Sequence, residues 1–437
     1  MNIAKIAQKI QGQMEQFSGK LSYGLPKVAR RFIGEAIYGI QSRGSVRLSE
    51  IGRSLDEGIA LHKTITRLSN QLQRPGLLEH LEERIIVEGA RRVQQETLLI
   101  IDVSDIVKPY AEKMQYMARV RDGSSGSIED GYWTMQAVGV EAGGKEITPL
   151  YHELYSQDSP DFKSENREIE KAIETVSSQV QGKGIWVIDR GGDRRKLFDF
   201  ILNNKKRFIV RLVGDRHILY RGKKVVAEEL ARSCPLLYTD RVIKEDKEQE
   251  QAYTISYGFR RVKLPGRTER LWMVVVTGFG KEPLMLLTTE EMENKRQRLW
   301  WAIEAYLTRW RIEETIRFVK QSYQLEDIRV LTYDRLRNMM GLVLAASYFA
   351  AVYLGVRAKM EILVTHVLKA SKRIFGIPDF RYYAIADGIR ELLHRYNRRM
   401  VKPIKALIYE NQLPLFDSYV FWGKSCYSFY LLHKNNS

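Results

Sequence analysis

Two short apolar runs, each leading into an aspartate, constrain this chain more than any other feature. Leu98–Ile101 runs into Asp102 in "ETLLIIDVSDIVKPY", and Trp186–Ile188 runs into Asp189 in "GKGIWVIDRGGDRRKLFDFILNN". Continuous apolar runs of this length, bounded by polar residues, read as buried strands. After the first comes a Gly/Ser loop, Arg121 to Ser127, then two strands around the turn Ala142–Lys145, then a helix over about 166–180. After the second come a Gly-Gly turn, a helix, and another strand in "KKRFIVRL". The order β-β-β-α-β-α-β predicts an α/β domain with a mixed sheet flanked by helices.

The flanks have a different texture. Residues 1–95 read as helices, and "SVRLSEIGRSLDEGIALHKTITRLSNQL" has a helix-turn-helix rhythm. Leu48, Ile51 and Leu55 would face inward, Asp56-Glu57-Gly58 would turn, and a second helix would carry His62, Lys63, Thr66, Arg67 and Asn70 outward. Such a helix suits a DNA major groove, with Lys63 on phosphates and Arg67 on base edges; many helical hairpins share the pattern, however. Residues 214–290 break into short β-rich runs between charged turns and read as an insertion into the α/β domain, which would comprise 96–213 and 291–350. Residues 351–437 are basic and mainly helical; over 356–405 there are 12 Lys/Arg against 4 Asp/Glu.

Charge narrows the partner. With 70 Lys/Arg against 53 Asp/Glu the formal net charge is +17, which favours a polyanion, nucleic acid before an anionic membrane surface. The two cysteines, Cys234 and Cys426, are too far apart in sequence for a disulfide framework or a zinc-finger spacing, which fits a reducing cytosol. The N-terminus lacks the apolar core of a secretion signal. Met339–Gly355 is almost uncharged, but it is slightly short for a membrane span and follows a charged helical run, so it reads as a buried core helix.

The carboxylates are the chemical candidates. An aspartate ending a buried strand pays desolvation unless it is paired or metal-bound; its ordinary role is to cap a turn. Two of them, on strands that can be neighbours, point to a shared hard cation such as magnesium or manganese. Asp105 and Asp193 compete, but Asp193 looks like the N-cap of the following helix and Asp105 lies past the end of the apolar run. A third acid comes from "YLTRWRIEETIRFVK", Tyr306 to Lys320. Projected as one helix at about 100° per residue, it puts Tyr306, Arg309, Glu313, Arg317 and Lys320 on one face and Glu314 off to the side. A solvated ladder of i,i+4 ion pairs would look similar, though Trp310 and Ile312 argue that the helix is packed. Three carboxylates can hold two divalent metals for phosphodiester chemistry, and the adjacent cations suit phosphates.

The spacing Tyr306-x2-Arg309-x3-Glu313-x6-Lys320, with "RWRIEE" around it and "IDVSD" and "VIDRGGDR" upstream, resembles the Tyr-Arg-Glu-Lys signature of bacterial cut-and-paste transposases of the insertion-sequence-four group. The resemblance covers about residues 95–350. It implies a ribonuclease-H-like catalytic domain with a β-rich insertion between the second Asp and the Glu, and an Asp102–Asp189–Glu313 triad binding two Mg2+ (or Mn2+) ions. It gives Tyr306 and Arg309 contacts to phosphates near the transposon end and a part in holding a hairpin intermediate, and Lys320 a contact to the same end. An aromatic side chain for an extruded base is also implied. Trp310 travels with the motif, Met285 stands where an aromatic would serve, and Trp272, Trp300 and Trp301 are substitutes that equally fit a core. Double-stranded DNA, both transposon ends and target, would be the partner of a homodimer in the bacterial cytoplasm, with residues 1–95 and 351–437 serving end binding and dimerisation. A metal nuclease that only cuts and a non-catalytic DNA-binding protein are the rival readings.

Overall fold

A computed structural model describes residues 3–246, 249–354, 365–368, 371 and 380–395. The N-terminal helices are α1 (Ile3–Leu21), α2 (Lys27–Arg43), α3 (Leu48–Leu55), α4 (Leu61–Leu72) and α5 (Leu77–Ala90). The α/β part follows with β1 (Leu98–Val107), β2 (Ala118–Arg121), β3 (Ile128–Val140), β4 (Thr148–Tyr155), α6 (Glu165–Gln179), β5 (Ile185–Ile188), α7 (Arg195–Asn203) and β6 (Phe208–Arg211). Strand β1 pairs antiparallel with β3 on one side and parallel with β5 on the other; β4 pairs with the far edge of β3, and β6 lies parallel beside β5. The order β4-β3-β1-β5-β6, with β1, β5 and β6 parallel, is a ribonuclease-H-like sheet.

The β-rich stretch adds a hairpin, β7 (His217–Tyr220) and β8 (Lys223–Val226), a short helix α8 (Ala227–Arg232), and strands β9 (Tyr238–Asp246), β10 (Gln249–Val262), β11 (Leu271–Thr277) and β12 (Leu284–Thr288). Strand β12 pairs with β6, and β11, β10 and β9 continue outward, so these strands extend one ten-stranded sheet. The cause is in the residues: Trp272–Val276 and Leu284–Thr288 are buried throughout, which requires cover on both faces.

Helices α9 (Arg296–Thr308), α10 (Trp310–Ser322) and α11 (Tyr333–Tyr348) complete the body. Helix α11 with the π-helical turn Phe349–Tyr353 is long and apolar enough to cross a membrane, but 89% of its apolar window is buried inside the protein, against α5, β4 and α2. One apolar core joins the N-terminal helices, α10, α11 and one face of the sheet; a second lies between the other face and α6–α8. Most of residues 351–437 lies outside the described residues, and with it most of the basic tail. The helix that is described there, α12 (Tyr382–Arg395), packs on α1, α2 and α10, and Arg390 donates to the Ser322 carbonyl at 3.1 Å.

Candidate active site

Strand β1 does not stop at Asp102. It pairs with β3 from Leu98↔Val140 to Val107↔Gly131, so Asp102 lies mid-strand and Asp105 lies inside the same strand, not beyond its end. The long β3 supplies hydrogen-bond partners that the polar residues of "DVSD" do not advertise. On the other side the pairing with β5 ends at Ile100↔Val187. Asp102 and Asp189 are each two residues past that last pair, where parallel strands part and side chains at equivalent positions share a crevice.

Asp189 does cap a turn: its Oδ1 accepts from the Gly191 N–H at 2.7 Å. A Cβ on Gly191 would stand 2.9 Å from that oxygen, so glycine allows the close approach. Asp193 is no helix cap. It is buried, accepts from the Val213 N–H at 2.7 Å and from Arg216 Nε at 2.5 Å, and so anchors the segment after β6. The ion pair with Arg216 won over capping because Asp193 is buried and its charge needs a full partner.

The stretch projected as one helix is two. Arg309 stands at the joint between α9 and α10, where the hydrogen bonds tighten to three-residue spacing: the Arg309 N–H to the Tyr306 carbonyl at 3.1 Å and the Ile312 N–H to the Arg309 carbonyl at 3.0 Å. Tyr306 therefore ends α9, buried, instead of continuing the α10 face. The joint is fastened to the β3–β4 turn. Thr308 Oγ1 accepts from the Gly143 N–H at 2.9 Å, and Arg311 Nε donates to the Gly144 carbonyl at 3.3 Å. Helix α10 buries Ile312, Thr315, Phe318 and Val319, a stripe that leaves Glu313 half-buried at the crevice and Arg317 exposed.

Arg309 ties the acids together. Nη1 lies 3.3 Å from Asp102 Oδ2 and Nη2 2.7 Å from Glu313 Oε1, with the arginine side chain only 9% exposed. The other Asp102 oxygen accepts from the Val103 N–H at 2.9 Å. Burial, then the charge of Asp189 and more weakly that of Glu313, push the Asp102 carboxyl up to about 7 against the pull of Arg309 and the Val103 amide. Glu314 is elsewhere, paired with Arg311 at 2.7 Å.

Other expected contacts fall differently. Lys320 is held by Asp105 at 3.0 Å and Glu326 at 3.1 Å, and Asp105 also accepts from the Gly123 N–H at 3.2 Å. Trp310 is 49% exposed beside Arg309, whose guanidinium lies 5.6 Å from its ring centre. Trp272 and Met285 are buried, Trp300 packs against the core, and Trp301 lies under Arg298 at 4.3 Å. On α4, His62, Lys63, Thr66 and Asn70 are exposed along a shallow groove of about 530 Å³. Arg67 also lines that groove, with its guanidinium held by Glu35 at 2.5 Å and Glu57 at 2.9 Å.

One neighbour of the acids carries no motif. Gln136 sits directly across from Asp102 on β3, buried, and its Nε2 has no partner. Its signal in sequence is the alternation of Thr134 and Gln136 within the otherwise apolar run of residues 131–140.

As donors the three acids fit a hard divalent cation: carboxylate oxygens with no thiol or imidazole among them. In arrangement they are not closed. Among the described residues no three His, Cys, Asp or Glu side chains form a group that could hold a metal ion, and the guanidinium of Arg309 bridges two of the acids.

Residues 163–349 match a protein-family model described as "Transposase DDE domain". That stretch includes Asp189, the segment Tyr306–Lys320 and Glu313, and begins beyond Asp102. No curated protein matches the chain. A cryo-EM structure of a piggyBac transposase synaptic complex with hairpin DNA aligns over 92% of this chain and 82% of that chain, at 11% identity and a TM-score of 0.44. The family model thus likens residues 163–349, less than half of the chain, to a transposase DDE domain.

Proposed function

We propose that this chain is a DNA transposase of the Tyr-Arg-Glu-Lys type, which binds the terminal inverted repeats of its own element, excises it and joins it to target DNA. One observation carries the reading: Arg309 bridges Asp102 and Glu313, with Asp189 at the position equivalent to Asp102 where β1 and β5 part, within a chain whose residues 163–349 match a transposase DDE domain. Asp102, Asp189 and Glu313 would hold two Mg2+ or Mn2+ ions, whose chemistry when bound is to polarise a phosphodiester and stabilise the departing oxygen.

The remaining steps belong to the chain's own groups. Arg309 offers a planar fork that fits a phosphate as well as a carboxylate. Trp310 presents an exposed ring next to it, on which an unstacked base could rest. Arg317 faces outward from the same helix as a further phosphate contact, and Tyr306 backs Arg309 from the end of α9. Lys320, engaged by Asp105 and Glu326, supports α10 and would reach DNA only by exchanging those partners. Lys63 on the α4 groove fits a phosphate contact; Arg67, braced by two glutamates, fits a positioning role for α4 better than base reading. A freed 3′ hydroxyl attacking the opposite strand to form a hairpin, a homodimer that holds two ends, and action in the bacterial cytoplasm complete the proposal.

The test uses the full chain with Mg2+ and duplex DNA from both flanks of its own gene, products being sized on a denaturing gel. Nicks at fixed positions, a hairpin product and end DNA joined to a target plasmid are expected, all lost in Asp189→Asn. Cleavage without joining would leave a nuclease. Binding of the end DNA without any cleavage by the wild type would leave a DNA-binding protein without chemistry.

A further inference from the structure

Arg309 has two competing claims on it. Inward, its guanidinium binds Asp102 and Glu313 together, 3.3 Å and 2.7 Å away. Outward, it stands at the break between α9 and α10 with the Tyr306 and Trp310 ring centres 5.9 Å and 5.6 Å from it, and Trp310 opens to solvent. The inward position is not a satisfied one. Arg309 Nε is buried without a partner among the described residues, and the contact to Asp102 is long for a charge-assisted bond. A buried donor left unpaired is costly, and any position offering it an acceptor would recover that cost.

The same geometry bears on the acids. A guanidinium across Asp102 and Glu313 already engages one oxygen of each with positive charge. A divalent cation and Arg309 therefore compete for the same oxygens. A DNA phosphate offers Arg309 an alternative partner of the same shape and charge.

We propose that Arg309 is a latch on the acidic site: without DNA it holds Asp102 and Glu313 and keeps divalent cations out, and a DNA phosphate releases the acids by taking the guanidinium. DNA and metal then bind with positive coupling, and by linkage each strengthens the other by the same factor. The latch would confine cleavage chemistry to the DNA-bound protein. It rests on the proposed reading that these acids bind metal and that DNA is the substrate.

The experiment titrates Mn2+ into the full chain, following free Mn2+ by electron paramagnetic resonance. It is run without DNA and with a short duplex from the flank of its own gene, and the Mn2+ taken up by the duplex alone is subtracted. The wild type should bind Mn2+ at least about ten-fold more tightly with DNA than without, within the usual range of coupling between sites. Arg309→Gln should bind Mn2+ tightly without DNA and gain little on adding it. Arg296→Gln removes the same charge from the start of α9, where the side chain pairs with Asp240, and should behave as the wild type. Thermal melting separates a fold defect from the latch: Arg309→Gln should melt lower in EDTA and recover with Mn2+. Arg309→Lys, which keeps the charge but loses the fork, should fall between the two. Equal Mn2+ affinity of wild type and Arg309→Gln without DNA would overturn the latch, as would Arg296→Gln binding Mn2+ without DNA as tightly as Arg309→Gln. No Mn2+ binding by any form, with or without DNA, would instead sink the metal reading itself and the latch with it.

Discussion

Asp102 is the residue at which opposing influences are easiest to separate. Burial and the charges of Asp189 and Glu313 raise its carboxyl to about 7, while Arg309 and the Val103 amide pull the other way. Its native value lies above the unfolded value of about 3.9, so the native state holds the proton more tightly. The contribution of Asp102 to stability is then fully present below about pH 4, is lost as pH rises through about 7, and above that the ionised group opposes folding. Asp102→Asn removes the charge at every pH. In metal-free buffer we expect Asp102→Asn to melt a few degrees above the wild type at pH 8, with the gap closing towards pH 4, while strand cleavage is lost. A variant that melts lower than the wild type at pH 8 would mean that Arg309 already compensates the charge in full. The aspartates were legible because each follows an apolar run. Arg309's bridge was not, since the i,i+4 spacing to Glu313 reads as an ordinary ladder until β1 is brought alongside. Gln136 was hidden for the same reason: only the register sets it opposite Asp102.

At the scale of elements, what could be read and what could not divide along one line. Local signals located the strands, the Gly-Gly turn after Asp189 and the helices on either side of the sheet. Long-range pairing set the rest. Strand β1 continues past Asp105 because β3 is long enough to pair with it, and β9–β12 join the central sheet because β6 has a free edge. The break at Arg309 comes from fastening the joint to Gly143 and Gly144, residues more than a hundred positions away. A second tie of this kind is the contact of Asp105 with Lys320 on α10 and with the Gly123 N–H in the β2–β3 loop. Asp105 is buried, so its loss leaves Lys320 with Glu326 alone and the loop without its anchor. Asp105→Ala should cost about 2 kcal/mol, less than a fully buried pair because Lys320 is 21% exposed. It should also speed amide exchange over 122–127 and the last turn of α10. Exchange rates that stay at wild-type values in both segments would show that the loop and α10 are held independently.

Across the whole molecule, two titratable groups in one row of the sheet set opposite responses to acid. Register places Asp102, Gln136 and His152 side by side on β1, β3 and β4. His152 is 1% exposed, its Nε2 has no partner, and burial pushes its imidazole down to about 3. Its native value lies below the unfolded value near 6.5, so the unfolded chain takes the proton first. The stability His152 contributes is present above about pH 6.5 and is lost on acidification from there towards pH 3, by up to about 1.4 kcal/mol per pH unit. Asp102 acts in the other sense from about pH 7 down to about 4, gaining stability on acidification. Over the shared window the two slopes offset each other, so the wild type should show a shallow acid dependence from this row. Removing one partner exposes the other. His152→Gln keeps a polar side chain of similar size without a titratable ring. The difference in unfolding free energy, wild type minus His152→Gln, should be flat above about pH 7 and fall by about 3 kcal/mol between pH 6.5 and 4.5, measured by urea unfolding without metal. Asp102→Asn should show the converse, a wild type that gains on the variant as pH falls. A flat difference for His152→Gln through that window would mean that the native protein binds a proton at His152, and that the ring has an acceptor in the interior of the sheet.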